Sequence, residues 1–233
     1  MAANAASRGA AAAAQIDFFY DVASPYSWLA FETLMRYRTL GVWDAEITLR
    51  PFFLGGVMKA TGNTPPGTLK SKGRYMARDL ARMSRHHGAP VVPLKDPRAM
   101  FHTLAAQRLL NATAMDAPEE LEGLTRELWV RIWGGGGDIA DEQGLREACA
   151  GAGIGASLAG SLLSRAGDAE VKERLKEETE EALRRGAFGA PWITMRTCDD
   201  MPWEAFFGCD RFDVLAKAMG KPWLGPQPNS SKL

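Results

Sequence analysis

The sequence has no long apolar run, no charge imbalance and no paired cysteines. Its longest small-residue stretch, Ala10 to Ala14, falls far short of the roughly 20 apolar residues that span a bilayer, so no membrane span is expected. Lysine and arginine total 28 against 28 aspartate and glutamate, scattered along the chain. That balance lacks the basic footprint of a nucleic-acid binder, and nucleic acid is not expected as a partner. Three cysteines, Cys149, Cys198 and Cys209, lie far apart without a C-x-x-C pair, which excludes a local dithiol centre and fits a reducing compartment. Histidine is as scarce. His86 and His87 are neighbours that point apart on a helix, and His102 has no acidic partner at ligand spacing, so no metal site is expected. Gly134 to Gly137 neither follows a strand nor precedes Lys-Ser or Lys-Thr, which makes it an interhelical loop and not a phosphate loop.

What is present is a chain of 233 residues, 46% hydrophobic, long enough to bury a full core. The first fourteen residues, rich in alanine with Arg8 and no acid, read as a disordered tail, although a transit peptide shares that composition. Gln15 to Asp21 (QIDFFYD) is a short aromatic run ending in a turn, which predicts a buried strand. Trp28, Phe31, Leu34 and Met35 then recur at helical spacing, with Ser24 as N-cap and Pro25 at the first helical position. Asp44 to Phe53 alternates until Pro51 and reads as a second strand. Leu54 to Gly73, full of Gly and Pro, reads as a loop with at most one short helical turn.

From Arg74 to about Gly186 the periodicity is helical throughout, in segments such as YMARDLARMSRHH, PEELEGLTRELWVRIW and EQGLREACAGAG. The last of them, Glu170 to Arg185, mixes charges as an exposed helix does. Strand character returns at Pro191 to Thr197 and Trp203 to Phe207, and RFDVLAKAM closes the chain as a helix with Asp210 as the expected N-cap. The order βαβ, helices, ββα predicts an α/β domain of residues 15–73 and 187–226 split by a helical domain of residues 74–186. Residues 227–233 form a tail. Its last three, Ser231, Lys232 and Leu233, spell a peroxisomal address, which makes an import receptor an expected partner.

The chemistry gathers at Asp21-Val-Ala-Ser-Pro-Tyr-Ser-Trp28, where a strand feeds a helix N-terminus whose unpaired N–H groups favour an anion. A thioredoxin-type turn carries C-x-x-C at this place, and serines stand here at both cysteine positions. Dithiol exchange is excluded. The Ser24 hydroxyl can instead donate to the thiolate of a bound molecule, although Ser-Pro-x-Ser taken alone is equally a plain helix cap. Phe188-Gly-Ala-Pro191 before a strand matches the cis-proline turn that faces the active helix in thioredoxin-like folds. In that setting Ala190 offers its main chain to a peptide-like ligand; the plainer alternative is a strand-initiating proline.

The blocks FFYDVASPYSW, RPFFLGGVMKATGN with the following PPG and KG, ELWVRIW, RGAFGAPWITM and FFGCDRFDVL run in order from Gln15 to Pro226. Together they resemble the kappa-class glutathione transferases. That resemblance implies a DsbA-like thioredoxin fold with a large helical insertion, a homodimer of mitochondria or peroxisomes, and glutathione as co-substrate with no further cofactor. It implies that Ser24 stabilises the glutathione thiolate, with Pro25 and Tyr26 beside it, and that Asn63 and Lys72 contact the peptide from the loop. Ala190 would pair with the cysteinyl backbone, while Cys209 and Asp210 at the last helix receive the γ-glutamyl end. The family more often has serine where Cys209 stands, and a thiol is the weaker donor.

A free thiol titrates near pKa ~8.5, and lowering it by about two units takes roughly 2.7 kcal/mol, within reach of one charge-assisted hydrogen bond plus a helix N-terminus. The expected activity is conjugation to small electrophiles, or a glutathione-dependent peroxidase. Phe52, Phe53, Met58, Met76 and Trp192 are candidates to line the electrophile site, or ordinary core. Two rival readings use the same scaffold: a glutathione-dependent isomerase of the 2-hydroxychromene-2-carboxylate type, and a non-catalytic binding or chaperone module.

Overall fold

The computed structural model describes residues 13–94 and 100–229. The Ser231-Lys232-Leu233 address and nearly all of the expected N-terminal tail lie outside the described residues. Strand β1 (Ala14–Tyr20) takes in Ala14, which the sequence reading left to the tail, because Ala14 pairs with Ala45 at the head of the ladder. Helix α1 (Pro25–Thr39) follows, then β2 (Ala45–Pro51), parallel to β1. Strand β3 (Trp192–Arg196) runs antiparallel to β1 on its other side, and β4 (Glu204–Phe207) antiparallel to β3, giving the order β2-β1-β3-β4. β1 is therefore interior, and its Phe18, Phe19 and Tyr20 are wholly buried.

The 54–73 segment corrects the sequence reading. It holds helix α2 (Leu54–Thr61), a 3₁₀ turn over Pro66–Thr68 and the start of α3 (Lys70–His87). Gly55 and Gly56 looked like helix breakers, yet they serve close approach: a Cβ on Gly55 would sit 2.8 Å from the Phe53 ring, and one on Gly56 3.3 Å from the Thr179 methyl. Leu54 and Val57 are buried at helical spacing, and α2 ends where Gly62 turns left-handed (φ 72°).

The chain then builds α4 (Leu104–Asp116), α5 (Leu121–Trp133), α6 (Glu142–Gly151), α7 (Ala156–Arg165) and α8 (Ala169–Arg184). Helix α7 was absent from the sequence reading, since its alanines, serines and glycine mute the period; Ala159 and Leu162 are its buried anchors. The final helix α9 (Phe212–Ala218) begins after Arg211 and not after Asp210.

Among the described residues, the larger of two apolar clusters runs through sheet and helices alike. Trp129 of α5 meets Tyr20 of β1 and Phe31 of α1 with ring centroids 5.3 and 5.1 Å apart, and the Tyr20 hydroxyl lies 2.7 Å from that of Thr125. Helix α4 also clamps the strand ends with buried amides. Gln107 Nε2 donates to the carbonyls of Tyr20 (3.0 Å) and Phe52 (2.7 Å), and Asn111 Nδ2 to that of Pro51 (3.0 Å). Trp133 Nε1 donates to the Val22 carbonyl at 3.0 Å. Backbone groups past the strand ends are thereby satisfied from the helical side, and each costs about 1–3 kcal/mol if left buried and unpaired. The turn between β1 and α1 is thus fixed from two directions. No described helix is long and apolar enough to cross a membrane.

Candidate active site

The eight residues singled out in the sequence, Ser24, Pro25, Tyr26, Asn63, Lys72, Ala190, Cys209 and Asp210, all border one cleft of about 580 Å³. Ser24 leads α1 in extended conformation, and its Oγ accepts the Ser27 N–H at 3.1 Å, so the plain cap reading holds. The same hydroxyl donates to the Ala190 carbonyl at 3.1 Å, and the Ala190–Pro191 peptide is cis as expected. Cap and candidate thiol partner are one side chain. Helix α1 carries no acidic residue in its first turn, which leaves the positive end of its dipole uncancelled toward the cleft.

Asn63 bridges two walls: its Nδ2 donates to the Phe188 carbonyl at 2.6 Å while its Oδ1 accepts the Thr64 N–H at 2.8 Å. Lys72 sits in the first turn of α3 and not in a loop, and it has no ion-pair partner among the described residues. Tyr75, Met76, Asp79 and Met83 continue the same helical stripe along the cleft. Of these, the sequence singles out Met76 alone; Tyr75, Asp79 and Met83 become visible as cleft residues only once the helix is seen to face the Ser24 turn. The Tyr26 hydroxyl donates to Asp79 Oδ2 at 3.0 Å, and burial, reinforced by that carboxylate, holds the phenol above its ordinary range. Tyr26 is therefore neutral and already engaged.

Cys209 is buried, and its burial, with the Asp210 charge second, pushes the thiol up to about 12. It stays protonated, which leaves it a poor nucleophile for a mixed disulfide. Asp210 does not cap α9. Its carboxylate turns to the Arg211 guanidinium at 2.6 Å, both side chains being more than half exposed, and the helix starts one residue beyond that arginine. The expected placing of Cys209 and Asp210 on the first N–H groups of the last helix is corrected to the bend that precedes it, where Gly208 has φ 93°. Of the apolar candidates, Met58 and Met76 line the cleft, joined by Met83 and Met100. Phe53 borders a smaller chamber behind it, whereas Phe52 and Trp192 are core.

The DSBA-like thioredoxin domain family matches residues 15–220. Glutathione S-transferase kappa 1 of Homo sapiens is 43% identical over 91% of this chain and 94% of its own length. The protein of the same name from Rattus norvegicus is 39% identical with the same coverage of both chains. Among solved structures, a 2-hydroxychromene-2-carboxylate isomerase superposes with a TM-score of 0.70 at 26% identity, covering 88% of this chain and 94% of that one.

Proposed function

Because the chain belongs to the DSBA-like thioredoxin domain family and to the kappa glutathione S-transferases, we propose that it is a glutathione transferase, joining the glutathione thiolate to small apolar electrophiles. The observation that carries this reading is the double engagement of Ser24, whose Oγ caps α1 while its hydroxyl donates to the Ala190 carbonyl oxygen 3.1 Å away. A cysteinyl N–H arriving by strand addition is a better-placed donor for that carbonyl. Once it takes the place, the Ser24 proton is free to turn to the sulfur, and Oγ keeps its bond from the Ser27 N–H. Thiolate stabilisation then needs no rearrangement of the helix start.

Asn63 and Lys72 support the peptide, and Lys72, unpaired among the described residues, is available to a glutathione carboxylate. The four methionines Met58, Met76, Met83 and Met100 give the cleft a soft apolar wall suited to electrophiles of varied shape. The proposal extends to a homodimer and to peroxisomal import through Ser231-Lys232-Leu233; a fluorescent fusion with Leu233 deleted would remain outside peroxisomes.

The deciding experiment is conjugation of glutathione to an aryl halide, with the ultraviolet absorbance of the bound thiolate followed against pH. Turnover with a lowered thiol pKa is expected. Tight glutathione binding with neither turnover nor thiolate absorbance would support the non-catalytic scaffold, and turnover confined to a chromene carboxylate would support the isomerase.

A further inference from the structure

Asp21, three residues before Ser24, is wholly buried at the end of β1. Its Oδ1 accepts the Ala23 N–H at 2.9 Å, its Oδ2 accepts the Leu54 N–H at 2.9 Å, and the buried Thr103 side chain lines the same small chamber. Those two partners and the Thr103 side chain belong to three separate pieces of the site. Ala23 is part of the turn that presents Ser24. Leu54 opens α2, whose own N-cap Phe53 supplies no side-chain bond, so Asp21 caps that helix from across the chain. Thr103 immediately precedes α4. Helix α2 leads in turn to Gly62 and Asn63, so its seating sets where Asn63 meets the Phe188 carbonyl.

No cation is bonded to Asp21 among the described residues. The groups around it are Tyr20 of β1, Gln107 of α4, the exposed His102 beside Thr103 and, beyond Tyr20, Glu178 of α8. Tyr20 is held up chiefly by burial and stays a neutral phenol. Burial outweighs the hydrogen-bond donors at Asp21 and raises its carboxyl to about 6. A proton placed on either oxygen turns an acceptor toward a backbone N–H into a competing donor, so the Ala23 or the Leu54 N–H loses its partner. A chamber of about 70 Å³, bordered by Asp21, Thr103, Ala23, Leu54, Met58 and Met100, lies directly behind the cleft and shares the last four residues with it, which gives the released segments room to shift.

We propose that Asp21 is a positioning residue of the glutathione site, its carboxylate holding the Ser24 turn and the α2–Asn63 arm in register for the peptide. This rests on the glutathione reading above, so the test separates the two. S-methylglutathione has no thiol to titrate, and its remaining ionisable groups lie outside about pH 5 to 7. Its binding to the full chain is measured by calorimetry across that interval. The wild type is expected to lose about tenfold in affinity on acidification, with a midpoint near 6.

Asp21→Asn is expected to bind weakly and with little pH dependence. Thr103→Val keeps the shape and the charge but removes the neighbouring hydroxyl that favours the ionised carboxylate, and it is expected to move the midpoint up by about one unit. His102→Gln should leave the wild-type profile in place. A flat wild-type profile, an acid limb that survives Asp21→Asn, or an unshifted midpoint in Thr103→Val overturns the proposal, and the last applies even where Asp21→Asn does not fold. Absence of S-methylglutathione binding at every pH overturns the glutathione reading instead.

Discussion

Asp17 and Asp21 leave the same stretch of chain four residues apart and meet opposite surroundings. Asp17 Oδ2 lies 2.9 Å from Arg50 and 2.8 Å from Arg185. Arg50 reaches on to Glu178 at 2.7 Å, and both guanidiniums stand over the Phe19 ring at 4.9 and 5.4 Å. Arg185 also bonds Thr194 of β3 at 2.8 Å, so the cluster rivets α8 to three strands. Asp21 has hydrogen-bond donors but no counter-ion among the described residues. The difference separates two uses of a buried carboxylate. A charge-balanced network fixes a scaffold, and an unbalanced carboxylate holds a site together only while it stays ionised.

The comparison breaks first if Arg185→Ala is harmless. That variant strips a partner from Asp17 and from Glu181, both mostly buried, and is expected to cost about 3 kcal/mol, or about 10 °C in Tm. Urea denaturation provides the check. Glutathione affinity of the folded variant should stay within about twofold of the wild type, because neither Arg185 nor its partners Asp17, Glu181 and Thr194 border the cleft. Loss of binding with no loss of stability would reverse the roles assigned to the two clusters.

Next in size is Ser24→Ala. Removal of one hydrogen bond to a thiolate is expected to lower kcat for aryl halide conjugation about thirtyfold, or about 2 kcal/mol, while glutathione affinity changes little. The lost cap bond to the Ser27 N–H should reduce stability by about 1 kcal/mol. An unchanged kcat would remove Ser24 from the mechanism and leave it a helix cap.

What the sequence made legible follows this same division. Ser24 was readable because a cap signal, a proline at the first helical position and the strand before it are all local. The Ala190–Pro191 turn was readable for the same reason, and the resemblance to the kappa class added Asn63 and Lys72. Asp79 and Asp21 were not legible, since each acts through a contact across the fold: Tyr26 to Asp79 spans 53 residues and Leu54 to Asp21 spans 33. Helix α2 was mistaken for loop because Gly55 and Gly56 signal a break unless their packing against Phe53 and Thr179 is known. Asp210 does not serve as a cap: its carboxylate lies on the exposed Arg211 guanidinium, and the helix begins one residue beyond that arginine, which local sequence signals did not show.

A third test uses the sign of pH-dependent stability. Burial raises the Glu181 carboxyl, but the hydrogen bond and charge of Arg185 more than offset this, so it ends below its ordinary value of 4.5. Its contribution to stability is present above about that value and is lost as pH falls through the lowered folded value. Asp21 has the opposite sign. Its folded value of about 6 lies above the ordinary value of 3.8, so ionisation costs stability above that range and the cost is relieved as pH falls from 6 toward 4. Tm is therefore expected to rise by a few degrees from pH 7 to pH 5 in the wild type and to stay level in Asp21→Asn, before both fall at lower pH as Glu181 and Glu122 take up protons. Over the same interval affinity for S-methylglutathione should fall. Stability and binding moving in opposite directions would separate a positioning carboxylate from a structural one; a parallel fall would place Asp21 with Asp17.

The smallest effect is expected at Cys209. The thiol is pushed up to about 12, so neither it nor a serine hydroxyl in its place carries charge at neutral pH, and the substitution exchanges one neutral donor for a better one. Cys209→Ser should strengthen glutathione binding two- to fivefold, or about 0.5–1 kcal/mol, a difference that calorimetry resolves. It should also leave the acid limb of binding untouched, since no ionisable group is gained or lost near 6. A tighter complex with an unmoved midpoint would confine pH sensing to Asp21 and assign to position 209 a side-chain contact with the peptide. Unchanged affinity would mean that the bend at Gly208 to Asp210 meets glutathione through its backbone alone, and a moved midpoint would show that charge at the cleft mouth, from Asp79 or Asp210, had been credited to the buried carboxylate behind it.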